Sequence, residues 1–169
     1  MTTIRRTTVL LAVALTAGCT TATPPDATPV PDLTTPSQAA EQAYQRYWEV
    51  TEAAFATPRL RDWTTELETV ASGQALDSAI SDFRTYRDFP AHMEGTVSRA
   101  PRVESAGVGG AEIVDCLDLG DSLLIADDTG EVLDDLGNQV RRYTLRASLV
   151  ANGTGWRVDR LEPALDEPC

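Results

Sequence analysis

The sequence predicts an α+β domain in which three N-terminal helices pack on one face of a curved antiparallel sheet. Three observations carry this expectation. Apolar residues recur at three- and four-residue spacing from residue 36 to residue 89. From His92 onward the pattern changes to short runs in which apolar and polar residues alternate. Asp127-Asp128-Thr129-Gly130 and Asn152-Gly153-Thr154-Gly155 supply the turn chemistry that separates such runs. Helices followed by strands point to a layer of helices on one sheet face.

The first helix has a strong start signal. Thr35-Pro36-Ser37-Gln38 offers an N-cap, a proline at the first helical position and a capping-box glutamine. Ala40, Ala43, Tyr44, Tyr47, Trp48, Val50, Ala54 and Phe55 then build one broad apolar face. Thr57-Pro58 is read as the break that ends this helix and starts a second, with a stripe of Leu60, Trp63, Leu67 and Val70 ending at Ser72-Gly73. A third helix carries Leu76, Ala79, Ile80, Phe83 and Tyr86 before Phe89-Pro90 stops it. The aromatic residues are expected in the core first. Among them Tyr47, Trp48, Trp63 and Phe83 are the candidates for lining a pocket inside the domain.

Residues 93–105 read as a strand pair or one bent strand, with Pro101 marking an edge or bulge. A turn over Gly107 to Gly110 leads into a strand from Ala111 to Leu117. Ser122 to Ala126 and Glu131 to Leu133 flank the Asp127–Gly130 turn as a hairpin. Tyr143, Leu145, Ala147 and Leu149 alternate along a long strand, and Trp156 to Leu161 returns as the last one.

The first 18 residues are expected to be a targeting signal rather than part of the domain. Arg5-Arg6 precede the run Val9 to Leu15, which is shorter than the roughly 20 residues that span a bilayer. Small residues then lead through Leu15-Thr16-Ala17-Gly18 into Cys19. This resembles the lipobox of a bacterial lipoprotein precursor, with Thr16 in place of the usual aliphatic residue. The resemblance implies cleavage before Cys19, acylation of that cysteine and a chain held at the outer face of the cytoplasmic membrane. The competing reading is an ordinary cleaved signal with a coincidental cysteine. Twin-arginine export lacks the rest of its motif, so general secretion is expected. Residues 19–34, rich in threonine and proline, read as an extended tether, leaving 35–169 as the folded domain.

All 14 basic residues are arginine, a usage that suggests a GC-rich genome. Removing Arg5 and Arg6 leaves 12 against 26 acidic residues, a balance of −14. A field of that sign repels nucleic acid and anionic headgroups, so no nucleic-acid partner is expected and attachment must come from lipid. With Cys19 taken by its thioether, Cys116 and Cys169 remain in an oxidising compartment. They are expected to pair with each other; two free thiols, or a bridge to another protein, are the alternatives.

The order of elements, the Tyr- and Trp-bearing first helix and the closing hairpin Arg142-Tyr143-Thr144 with Gly155-Trp156-Arg157-Val158 resemble the NTF2-like, or SnoaL-like, cone fold. More narrowly, Val114-Asp115-Cys116-Leu117-Asp118, Thr129-Gly130 and Trp156 to Val158 are similar to segments of small secreted lipoproteins of actinobacteria. The resemblance spans roughly residues 36–162. It implies a cone with one open end, a scaffold that serves enzymes and binding modules alike.

No catalytic residue, cofactor site or metal site emerges from the chain. A nucleophile elbow, a P-loop and a metalloprotease helix have no counterpart in it. His92 stands alone at the start of the strand region and is read as structural. Eight acidic residues between Asp115 and Asp135 crowd into 21 positions, but Asp127-Asp128-Thr129-Gly130-Glu131 lacks the alternating ligand order of a calcium loop. A solvated acidic hairpin is the expectation; in the calcium alternative Asp127, Asp128 and Asp134 are the ligands. Alternation puts Asp115 and Cys116 on opposite sheet faces. With Cys116 toward the helices, Asp115 would face outward, within reach of Arg141, Arg142 or Arg157.

The functional expectation is a membrane-anchored, non-catalytic binding or scaffold module for an envelope protein or an apolar small molecule. The alternatives are a ketosteroid-isomerase-like enzyme with a buried acid in the cone, or an accessory subunit of an envelope or secretion assembly.

Overall fold

The computed structural model describes residues 35–153 and 155–169. The signal at 1–18, Cys19 and the tether at 19–34 lie outside the described residues.

Helix α1 (Pro36–Ala56) begins where the capping box predicts: Gln38 N–H donates to Thr35 Oγ1 at 3.2 Å and Thr35 N–H to Gln38 Oε1 at 3.0 Å. The second helix differs from expectation. Pro58 sits in a turn closed by Leu60 N–H on the Thr57 carbonyl, and α2 (Thr64–Val70) starts only where the Asp62 carboxylate accepts from Thr64 N–H. Leu60 therefore drops out of the helical stripe and is 75% exposed. Helix α3 (Gly73–Asp88) follows at once. Its Gly73 takes the left-handed backbone against the Asp159 side chain, which also accepts from Ser72 Oγ.

The strands are β1 (Ala91–Glu94), β2 (Arg102–Ala106), β3 (Gly110–Asp118), β4 (Leu123–Ala126), β5 (Arg142–Asn152) and β6 (Gly155–Ala164). They form two antiparallel sheets, β2-β3-β5-β6 and β1-β4. Residues 93–105 are thus not one strand or a self-paired hairpin. Between Gly95 and Pro101 the chain keeps only a bridge from Ser98 to Asp118 at the end of β3, and the flanking strands belong to different sheets. Glu131 to Leu133 is likewise not a strand. Val132 makes a single bridge to Ile125, after which the Asp134 carboxylate takes Leu124 N–H at 2.6 Å. A side-chain acceptor in place of a backbone carbonyl ends the ladder there, while the other edge of β4 is held by β1.

Two apolar cores follow from this arrangement. Tyr44 and Tyr47 of α1 pack on Ile113, Leu149 and Val158 of the large sheet. Trp63, Leu67 and Phe83 pack with Ala54 and Ala79 among the helices. Burying a side chain of this size contributes about 1.5–3 kcal/mol.

The Cys116–Cys169 disulfide is present, with Cα atoms 5.6 Å apart. Its orientation is the reverse of the sequence reading. Ala111, Ile113, Asp115 and Leu117 are the buried positions of β3, so Asp115 points to the helices and Cys116 away from them. The reason lies in the C-terminal tail, which crosses the outer sheet face: Thr144 N–H donates to the Glu167 carbonyl and Arg146 pairs with the Glu167 carboxylate at 2.6 Å. Only an outward Cys116 meets Cys169 on that face.

Candidate functional site

A cavity of about 530 Å³ opens between the C-terminal half of α1, Tyr86 of α3, the 93–99 segment and the end of β3. Its walls are mainly apolar, with Trp48, Phe55, Met93, Val97, Leu117 and Leu119 among them. It exists because the chain leaves the large sheet after β3. Gly95, at φ +85°, runs so close to the Asp121–Ser122 turn that a Cβ there would lie 2.1 Å from the Asp121 carbonyl oxygen. This close approach packs Gly95 on the turn before β4, and Gly95 and Ser122 of that contact both line the cavity. A larger space of about 670 Å³ runs along α3, but its walls are residues 77–88 of that helix and the adjoining Phe89. A ligand there would have one side only.

Among the described residues, Arg99 is the one cation lining the cavity and Glu52 the one anion. The two pair through Arg99 Nη2 and Glu52 Oε1. The guanidinium lies over the Trp48 ring, 4.3 Å from its centroid, and Nη1 donates to the Val97 carbonyl at 3.2 Å. Trp48 is itself held edge-on by Tyr44 and Tyr47, at 6.1 and 5.1 Å between ring centroids. Phe55 and Tyr86 make a further edge-on pair at 5.3 Å.

Behind Trp48 lies the one buried carboxylate among the described residues. Asp115 is 1% exposed; its Oδ2 accepts from the Tyr44 hydroxyl at 2.9 Å and its Oδ1 from Ala100 N–H at 2.7 Å. Burial pushes the Tyr44 phenol well above the ordinary value and the Asp115 charge adds to it, while Trp48 and Arg99 pull it partly back. Burial also raises Tyr47, with Asp82 adding to the effect. Asp115 does not line the cavity, so it is a structural acceptor rather than an acid or base that a ligand could reach.

Of the four aromatic residues expected to line a pocket, Trp48 does so. Tyr47, Trp63 and Phe83 fill the two cores. His92 faces away from the cavity residue Met93; its Nδ1 contacts Asp127 and its Nε2 Glu94, at 3.0 Å for the latter. Asp127 also pairs with Arg59, which ties the α1-α2 connection to β1 and the β4 turn. The three calcium candidates go separate ways: Asp127 to His92 and Arg59, Asp134 to Leu124 N–H, and Asp128 into solvent. Among the described residues no three His, Cys, Asp or Glu side chains converge on one point.

Arg99 and Asp115 were not legible as site residues. A signal for Asp115 existed, since it shares the alternation of Ala111, Ile113 and Leu117. Arg99 sits in an irregular segment before Pro101, and nothing in its neighbours points to Trp48.

No protein-family model matches the chain, and no curated protein matches it. Among solved structures, the intermembrane space region of the chloroplast protein ARC6 is similar at a TM-score of 0.56 and 15% identity, covering 76% of this chain and 96% of that one. An NTF2-like protein with a cystatin-like fold from Novosphingobium aromaticivorans aligns at 14% identity over 76% of this chain and 80% of its own, with a TM-score of 0.35. The first likeness concerns the fold alone and the second is too low to carry an argument. What stands is a mixed α/β domain with three helices and antiparallel sheets.

Proposed function

We propose that this chain is a lipid-anchored envelope protein whose domain, an NTF2-like cone, binds an apolar small molecule without transforming it. The observation that carries the reading is the cavity of about 530 Å³, within the range of ligand pockets, with mainly apolar walls and the Arg99–Glu52 ion pair among its lining residues. A scaffold that only presented its surface to a protein partner would gain nothing from leaving such a space unfilled, since a void forfeits packing contacts. The isomerase-like alternative needs an acid or base inside the cavity. Asp115 is outside it with both oxygens engaged, and Glu52 is held by Arg99.

The binding half is tested with the neutral fluorophore N-phenylnaphthylamine on the full chain. Saturable binding that is lost in Ala53→Phe, where a ring is added to the cavity wall, is expected. Equal binding by both proteins would remove the cavity from consideration. The anchoring half rests on the lipobox-like Leu15-Thr16-Ala17-Gly18-Cys19. Intact mass of the membrane fraction is expected to show an acylated Cys19 as the N-terminal residue, and an unmodified cysteine there would end that part of the proposal.

A further inference from the structure

Building on the small-ligand reading, we infer that the cavity takes an apolar molecule bearing one carboxylate, which displaces Glu52 and binds side-on to Arg99. Arg99 is fixed in place: its ring-stacked guanidinium and its Nη1 bond to Val97 leave it little freedom, and its side chain is only 16% exposed. Glu52 uses one edge of that guanidinium incompletely. It contacts Nη2, whereas the neighbouring Nε–H, on the same edge, is buried with no acceptor among the described residues. A buried donor without a partner is costly, and a carboxylate matches the Nε–Nη2 edge with two parallel hydrogen bonds.

The exchange is feasible in one direction only. Glu52 lies on the surface of α1 with its side chain 46% exposed, so it can return to water when another carboxylate replaces it. Arg99 has no such exit, which disfavours an ammonium ligand that would have to take its place beside Glu52. Swapping one carboxylate for another keeps the ion pair and adds the missing acceptor. The chain's overall negative charge opposes an anion at a distance, but salt screens that field over roughly 10 Å at 0.1 M. The apolar remainder of the ligand would lie against Phe55, Met93 and Leu117.

The test uses dodecanoate, dodecanol and dodecylamine as probes, titrated calorimetrically into the full chain in one maltoside detergent. Each probe is compared between variants in the same micelles, so partitioning into detergent cancels. Arg99→Met is expected to weaken dodecanoate by about ten- to a hundredfold and dodecanol by less than about twofold. Arg99→Lys, which keeps the charge and loses the side-on edge, should fall between. Glu52→Gln removes the competing carboxylate from a surface helix position and should tighten dodecanoate several-fold, so the inference does not depend on Arg99→Met folding. Dodecanoate and dodecanol binding alike in wild type, Glu52→Gln and Arg99→Met would overturn the carboxylate and leave the cavity reading standing. Dodecylamine weakened by Glu52→Gln while dodecanoate stays unchanged would overturn it in favour of Glu52 as the head-group partner. Failure of all three probes to bind would overturn the cavity reading itself.

Discussion

Tyr44 on α1 donates its hydroxyl to the buried carboxylate of Asp115 on β3, 71 residues away in sequence, at 2.9 Å. The bond joins the first helix to a central strand of the large sheet and places a buried polar contact behind the cavity wall formed by Trp48. Tyr44→Phe should destabilise the domain by about 1–3 kcal/mol, because the buried Asp115 side chain loses a donor. Asp115→Ala, which strands both the Tyr44 hydroxyl and Ala100 N–H, should cost more. Denaturant midpoints of the two variants measure this. An unchanged midpoint in both would mean that water replaces the bond without loss.

All four tyrosines, at 44, 47, 86 and 143, are raised above the ordinary phenol value of 10.0, with burial the leading cause in each. For a group raised in the fold, stability is fully present below the unfolded value and lost as pH climbs past it, since only the unfolded chain then gains by ionising. The domain should therefore weaken above pH 10 or so, and tyrosinate absorbance should appear together with unfolding. Ionisation of the tyrosines at ordinary pH while circular dichroism stays native would contradict this.

The bridge between Cys116 and Cys169 closes a separation of 53 residues. On the chain-entropy account its loss costs about 4 kcal/mol. Cys169→Ser should show that loss, and hydrogen exchange at Thr144 N–H should rise as the Glu167 carbonyl leaves it. Full protection of Thr144 in the variant would show that the tail docks without its staple.

Gly95 combines a left-handed backbone with the tightest approach of any glycine in the described residues, to the Asp121 carbonyl. Gly95→Ala should cost about 1–2 kcal/mol from the backbone alone, with the clash adding to it. Because Gly95 also lines the cavity, fluorophore binding should fall with it. A variant as stable as wild type would place the strain elsewhere.

The helices and most strand positions were readable because their causes are local. The capping box of α1 joins residues three apart, and the alternation of β3 and β5 is a property of consecutive side chains. The expectation that the two domain cysteines pair came from their number and from the oxidising compartment the sequence led us to expect.

The rest depended on contacts between distant segments. Period-2 alternation sets Asp115 opposite Cys116, but it is silent on which of them faces the helices. That was settled by Tyr44 and Ala100, which supply the donors that let a carboxylate be buried, and by a C-terminal tail that brings Cys169 to the outer face. Short strands such as Ala91–Glu94 and Leu123–Ala126 carry no mark of their partner, so the second sheet could not be foreseen. The cavity has the same origin. Local rules place Tyr47, Trp48, Trp63 and Phe83 on apolar helix faces, and only the packed fold buries three of them while leaving Trp48 beside Arg99 at the wall of a space. Burial and charge pairing are sums over neighbours from the whole chain, whereas helix caps and strand alternation are sums over a few consecutive residues.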